Sequence, residues 1–315
     1  MGQQLSVSVV IACYTEDRWP FIVRAIESAR SQDPPPERVV LAVDYNADLS
    51  ARLRRELDDL LIVDNDLGRG ASGARNSAVA RVTTPFVAFL DDDAAARPGW
   101  LKCLLDPFSD PQIIGTGGQI VPEWELPAPR WFPQEFAWVV GGSYAGLPTS
   151  TQRVRNVWSG NMAVRRRVFE QVGGFRHGFG KVGSAARPED TDLCIRMGKA
   201  VEGGTWMYVP DAKVDHWVPA ERGRLRFFLR RCRDEGRGKV ELAGLLGGPG
   251  DLGNERDYVR NVIPSAIRRE VMASFAKRDV APLLLAGSMT LGLAAAATGA
   301  AGQMLARVAA RSVSR

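Results

Sequence analysis

Pro85-Phe86-Val87-Ala88-Phe89-Leu90-Asp91-Asp92-Asp93 decides how this chain folds. The apolar run reads as a strand buried on both faces, as in the middle of a mostly parallel sheet. Thr84-Pro85 bounds it on one side and Arg97-Pro98-Gly99 on the other. Three aspartates in one loop repel each other, and only a cation among them offsets that cost. Ligands of open α/β sheets bind beyond the carboxyl ends of the strands. An acidic triplet in that place points to a metal–phosphate site, against the plainer alternative of a solvated acidic turn. Mg²⁺ and Mn²⁺ favour oxygen ligands and take one or two carboxylates together with substrate phosphates.

Outward from the triplet, strands and helices alternate. Leu5 to Ala12 is an apolar, β-branched opening strand. Residues 19–31 have helical periodicity, with Phe21, Ile22, Ala25, Ile26 and Ala29 on one side, and Asp33-Pro34-Pro35-Pro36 stops them. Strands follow at 39–43, ending in Asp44, and at 60–63, with a short charged helix at 49–57 between them. A helix at 71–82 leads into the strand ending at Asp91. This spacing predicts βαβ units and a Rossmann-like sheet flanked by helices. Beyond Trp100 the pattern loosens. Further strands are expected at 115–121 and 161–164, and helices at 166–172, closed by Gly173-Gly174, and at 191–200, opened by Pro188-Glu189-Asp190. Residues 122–148, rich in Pro, Trp and Gly, read as an irregular, substrate-facing insertion.

Length and composition narrow the class. A chain of 315 residues with a formal charge of +5 has ample apolar content for a core. Cys13, Cys103, Cys194 and Cys232 form no CxxC pair, and no secretory leader is read, which predicts reduced thiols in a cytosolic setting. Two histidines, His177 and His216, are too few for a histidine-built metal centre. Arginines crowd residues 222–239 without a nucleic-acid recognition motif, so no nucleic-acid partner is expected. Residues 280–306 carry no charge and are long enough for a membrane helix, which needs about 20 apolar residues. Their richness in Ala and Gly also suits a helix packed on protein.

Gly68, Gly70 and Gly73 satisfy GxGxxG after a strand and before a helix, formally the dinucleotide fingerprint. The acids downstream form a triplet, Asp64-Asn65-Asp66 adds charge before the glycines, and the unit holds the third strand rather than the first. The glycines are read instead as a loop that approaches a nucleotide closely, with Arg75 placed for a phosphate or base.

Ala12-Cys13-Tyr14-Thr15-Glu16, Asp44, Gly70-Ala71-Ser72-Gly73-Ala74-Arg75-Asn76 and Phe89-Leu90-Asp91-Asp92-Asp93 form an ordered set of motifs. Gly160 to Arg166, Gly173-Gly174-Phe175 and Glu189-Asp190-Thr191-Asp192 continue it. In that order, over roughly residues 5–220, the chain resembles family-two glycosyltransferases with the GT-A fold. The resemblance implies that Asp44 holds the base of a nucleotide-sugar, with Ala12, Tyr14 and Glu16 lining that pocket and Arg75 near the nucleotide. It implies Asp93 as metal ligand with Asp91 beside it, Asp92 towards the donor, and His216 on metal or phosphate. Trp158 and Asn161 would shape the sugar and acceptor pocket, with Glu189 beside them. Asp192 is read as structural. Each site residue keeps a plainer alternative: a turn residue for Asp44, a surface charge for Arg75, a hydrogen-bonded histidine for His216, core for Trp158. Asp190 is the candidate base for the acceptor hydroxyl, its alternative being an acidic residue that complements a helix dipole.

The segment from Trp131 to Gly141 resembles the corresponding insertion of dolichyl-phosphate-linked glucuronosyltransferases. Leu225, Phe227, Phe228 and Leu229 interleave with arginines, as in an amphipathic helix at an anionic membrane. The expected organisation is a GT-A domain at 1–220, divided into a nucleotide-binding half at 1–110 and an acceptor half at 111–220. A basic helical extension at 221–279 and a membrane-associating apolar segment at 280–306 follow. The expected function is an inverting, Mg²⁺- or Mn²⁺-dependent transfer from a UDP-sugar to a lipid-linked or amphiphilic acceptor at the cytoplasmic membrane face. A transferase for a soluble small molecule and a non-catalytic nucleotide-sugar-binding or scaffolding protein are the alternatives.

Overall fold

The computed structural model describes residues 5–57, 59–182, 185–245 and 257–313. Its chain divides into two compact units. The first comprises Met1–Val121, Pro148–Ser184 and Glu189–His216, and the second Pro122–Leu147, Ala185–Pro188 and Trp217–Arg315.

The first unit is built on β1 (Val7–Cys13), β2 (Arg38–Val43), β3 (Leu61–Asp64) and β4 (Phe86–Asp91), in the order β3-β2-β1-β4 and all parallel. Their side chains alternate between two cores. Val7, Val9, Ile11, Leu41, Phe86, Ala88 and Leu90 enter one, and Val10, Val40, Ala42, Val87 and Phe89 enter the other. That two-sided burial is why these strands read as unbroken apolar runs. Helix α1 (Trp19–Arg30) covers the first core with Ile22, Ala25, Ile26 and Ala29. Helix α2 (Ala47–Glu56) adds Leu49 and Leu53 there, and α3 (Ala71–Val79) covers the second core with Ala74, Ala78 and Val79. The strand order reverses between β1 and β4, so their carboxyl ends open the crevice in which such sheets bind ligands.

Beyond β4 the sheet changes direction. The next elements are β5 (Ala94–Ala96), α4 (Trp100–Leu105), β6 (Ile113–Trp124), β7 (Gln152–Val154), β8 (Asn161–Arg165) and α5 (Arg166–Gln171). Then come β9 (Gly180–Val182), β10 (Ala185–Arg187), α6 (Glu189–Ala200) and β11 (Thr205–Val218). The sheet continues β4-β8-β6-β11-β5, and β8 pairs antiparallel with both β4 and β6. The sheet is therefore mixed, with β1 to β4 parallel and β8 running against both its neighbours. Gly173 and Gly174, at φ +75° and +66°, end α5 as its sequence pattern predicts.

The second unit holds α7 (Leu225–Leu245), α8 (Ile263–Lys277) and α9 (Ala281–Val313). Residues 122–147, expected as an irregular insertion of the first domain, belong to this unit instead. Their Phe132, Phe136, Val139 and Val140 bury themselves against Phe228, Cys232, Ile263 and Met289. Of the basic extension expected at 221–279, residues 246–256 lie outside the described residues.

Candidate active site

Strand β4 ends at Asp91, opposite Ala12 of β1, and the turn through Asp92 and Asp93 leads into β5. Strand β5 pairs with β11 so that Ala94 faces His216. This register brings His216 Nε2 to 3.3 Å from Asp93 Oδ1. One ligand atom each from Asp91, Asp93 and His216 lie within 4.8 Å of one another. His216 is buried and its Nδ1 has no hydrogen-bond partner. Two carboxylate oxygens and an imidazole nitrogen suit a divalent cation of the Mg²⁺ or Mn²⁺ type, and a buried imidazole with an orphaned nitrogen fits a ligand better than a structural role.

The triplet has a cation of its own that its sequence did not signal. Arg18, in the turn before α1, places Nη1 2.5 Å from Asp92 Oδ1 and 3.1 Å from Asp93 Oδ2. No periodicity marks Arg18, and only the charge surplus of three adjacent carboxylates requires such a partner. Asp92 is the deepest of the three. It was expected to face the donor, but it is buried, its other oxygen Oδ2 has no hydrogen bond, and burial pushes its carboxyl up to about 7 against the pull of Arg18. The strand's alternation leaves Asp91 half-exposed instead, with 33% of its side chain accessible.

Arg75 is the hub on the other side. It reaches from α3 in the interior, Nη2 2.7 Å from Asp91 Oδ1 and Nη1 3.9 Å from Glu189 Oε1, over the ring of Phe175. Glu189 and Asp190 form the first turn of α6, and Asp190 Oδ1 accepts the Ser159 backbone N–H at 3.1 Å. Burial raises both carboxyls, Glu189 to about 8 with Asp190 adding to the shift, while the Arg75 charge opposes it. With Glu189 held mostly protonated, Asp91, Asp92, Asp93 and Asp190 thus face Arg18 and Arg75, four potential negative charges against two positive, a deficit of two. A divalent cation offsets that deficit.

Asp44 is half-buried and accepts the Gly70 N–H at 2.9 Å and Asn65 Nδ2 at 2.7 Å. It ties down the glycine loop, and the loop explains the false fingerprint. Gly68 and Gly70 adopt φ +109° and +115°, and a Cβ on Gly73 would stand 1.9 Å from Gly68 O. The glycines are there so that the loop can fold back on α3. Tyr14 is exposed beneath the Arg18 guanidinium, and Glu16 lies 3.8 Å from Arg52. Trp158 is half-buried against the first core.

Asn161 was expected at the pocket wall, but it is 1% exposed and acts as a strut. Its Oδ1 accepts Trp100 Nε1 and its Nδ2 donates to Gln119 O and Ala212 O, so both amide donors are spent inside the protein. Asp192 is fully buried between Arg176 and Arg196, which makes it structural. Gly160 has a role that its motif alone does not reveal: a Cβ there would meet Asp91 Oδ2 at 2.5 Å. Its bareness gives Asp91 room.

The profile of the family described as Glycosyl transferase family 2 matches residues 8–173. A glucosyl-dolichyl phosphate glucuronosyltransferase of Haloferax volcanii is 32% identical over 217 residues, covering 67% of this chain and 69% of that protein. A pre-mycofactocin glycosyltransferase of Mycobacterium tuberculosis is 34% identical over 188 residues, 59% of this chain and 37% of its own length. Among solved structures, the mannosyltransferase PcManGT from Pyrobaculum calidifontis, in complex with GDP-Man and Mn²⁺, superposes with a TM-score of 0.61. It is 19% identical, and the match covers 96% of this chain and 88% of that one. GalNAc-T7 with UDP, GalNAc and Mn²⁺ gives 0.53 at 17% identity over 82% of this chain, which spans about half, 54%, of that structure. The fold is that of GT-A glycosyltransferases.

Proposed function

The chain belongs to glycosyl transferase family 2, and from that membership we propose that it moves a sugar from a UDP-sugar to a hydroxyl of a lipid-linked acceptor, with inversion at the anomeric carbon. The observation that carries this reading is the gathering of Asp91, Asp93 and His216 into one ligand set beyond the end of β4, with Asp91 also paired to Arg75, whose charge acts on Asp190.

The acceptor hydroxyl attacks C1 from the face opposite the diphosphate, its proton passes to the Asp190 carboxylate, and the electrons of the C1–O bond leave with the diphosphate. Ser159 N–H holds Asp190 in place, and the Arg75 charge keeps it available as a base despite its burial. Asp91, Asp93 and His216 would hold Mg²⁺ or Mn²⁺, which when bound supplies Lewis-acid offset of the diphosphate's growing charge. Glu189, raised to about 8, is protonated at neutral pH and can donate a hydrogen bond to a sugar or acceptor oxygen. Asp44 and Arg75 shape the nucleotide side, through the glycine loop and through Asp91 respectively.

The lipid-linked acceptor is supported by the name of the Haloferax relative and by the apolar helix α9, and it places the enzyme at a membrane surface. The pre-mycofactocin relative favours a second reading, a small-molecule acceptor. Purified protein incubated with Mn²⁺, a set of nucleotide-sugars and either polyprenyl-phosphate-linked or water-soluble acceptors tests both. Product from a UDP-sugar and the lipid-linked acceptor, with inverted configuration by NMR, is the result expected. Turnover on the soluble acceptors alone would move the assignment to the second reading.

A further inference from the structure

Helix α9 is long and apolar enough to cross a membrane, by length and composition. Its packing within the second unit argues otherwise. From 292 to 307 it runs alongside α7. A Cβ on Gly292 would strike the Phe228 ring, one on Gly236 would stand 2.0 Å from Ala296 O, and one on Gly299 would stand 1.9 Å from Arg233 O. Arg307 closes the contact on Val240 O at 3.0 Å. Helix α7 carries Arg233, Asp234, Glu235, Arg237, Lys239 and Glu241 through that stretch, and charged side chains are expelled from a bilayer centre. A spanning α9 would drag them in. The part before Gly292, residues 281–291, is only about 17 Å long at ~1.5 Å per residue, short of the ~30 Å hydrocarbon core. Even there Met289 is buried and Ser288 Oγ is bonded to Trp131 O.

Among the described residues the opposite face of α9 is exposed. Leu284, Leu291, Leu305 and Val308 are 52%, 50%, 71% and 67% exposed, and only small or uncharged residues lie among them on that face. Met272 and Phe275 at the end of α8, and Val280 in the turn, are exposed apolar residues as well. On α7, Arg226, Arg230, Arg233 and Arg237 recur at helical spacing, all exposed and without an ion pair among the described residues. An apolar face beside an unpaired basic stripe matches the interface of an anionic bilayer.

We propose that α9 does not span the membrane but lies in the plane of one leaflet, its Leu284–Leu291–Leu305–Val308 face in the acyl boundary and the α7 arginines on anionic headgroups. This deepens the membrane-surface reading above and rests on it for the acceptor, not for the binding itself.

The test uses the full chain and vesicles of phosphatidylcholine alone or mixed with phosphatidylglycerol. Wild-type protein is expected to co-sediment with the anionic vesicles, and Leu284→Glu/Leu291→Glu to weaken this by at least ~tenfold with unchanged thermal unfolding. Arg230→Gln and Arg237→Gln should each weaken it roughly fivefold, most at low salt. Asp279→Cys and Ser312→Cys, at the polar ends of α9 in a Cys103→Ser background, should react with an impermeant maleimide from the same side of the membrane. Labelling from opposite sides, indifference to both sets of substitutions, or a dimer that Leu291→Glu dissociates without vesicle binding would overturn the proposal. UDP and Mn²⁺ binding measured on the same samples separates its failure from failure of the glycosyltransfer reading.

Discussion

Asp190 and Glu189 are neighbours in one helical turn, yet their surroundings give them different work. Asp190 is oriented by a backbone donor and faces the Arg75 charge, so Asp190→Asn should keep Mn²⁺-dependent UDP affinity while turnover falls about 10²–10⁴-fold. Steady-state rates beside calorimetric affinities check this; retained turnover would remove Asp190 as the base. Glu189 makes a stability prediction. Its folded carboxyl sits at about 8 against an ordinary 4.5, so the folded state binds the proton more tightly than the unfolded chain. Its contribution is fully present below pH 4.5 and is lost as pH rises towards 8. In the metal-free protein, Glu189→Gln should therefore raise Tm at pH 8 by a few °C relative to wild type and flatten the slope between. A Tm profile parallel to the wild type would contradict the burial argument. The identities of these residues were legible in Pro188-Glu189-Asp190, but their environment was not, because Arg75 lies more than a hundred positions away in the chain.

Among the elements, the first four strands were readable because burial on both faces writes itself as an apolar run. The antiparallel half was harder, since its strands carry glycines that make room for neighbours rather than a pattern. Gly115 and Gly117 lie under Trp206 and Val157, where a Cβ would come within 2.2 Å. The loop at Gly68 to Gly73 shows the same limit from the other side: its spacing imitates a nucleotide fingerprint, while its physical cause is a turn closing on α3. Gly73→Ala drives a methyl into the Gly68 carbonyl, so the loop must shift and release Asp44 from Gly70 N–H. We expect a loss of about 1–3 kcal/mol in stability and weaker UDP binding, checked by denaturant unfolding and calorimetry. Unchanged stability would mean that the loop tolerates a wider turn. Arg18 belongs here too, as the end of a short turn whose partner aspartates could be inferred as needing a cation without saying which.

For the whole molecule, the sequence motifs fall in the first unit, whereas residues 122–147 group with the C-terminal helices, whose core their aromatic residues complete. That core cannot be seen along the chain, because Phe132 and Phe136 meet Phe228 and Met289 only after folding. In the first unit, Asp91, Asp93 and His216 gather where they could hold a metal ion, the group on which the proposed binding of a nucleotide-sugar depends. Calorimetric titration of UDP into wild-type and Asp93→Ala protein, each with Mn²⁺ and with chelator, tests it most directly. UDP binding is expected to require Mn²⁺ in the wild type and to be lost in Asp93→Ala without loss of thermal stability. Equal UDP affinity with and without the metal, or an Asp93→Ala protein that binds as the wild type does, would contradict it.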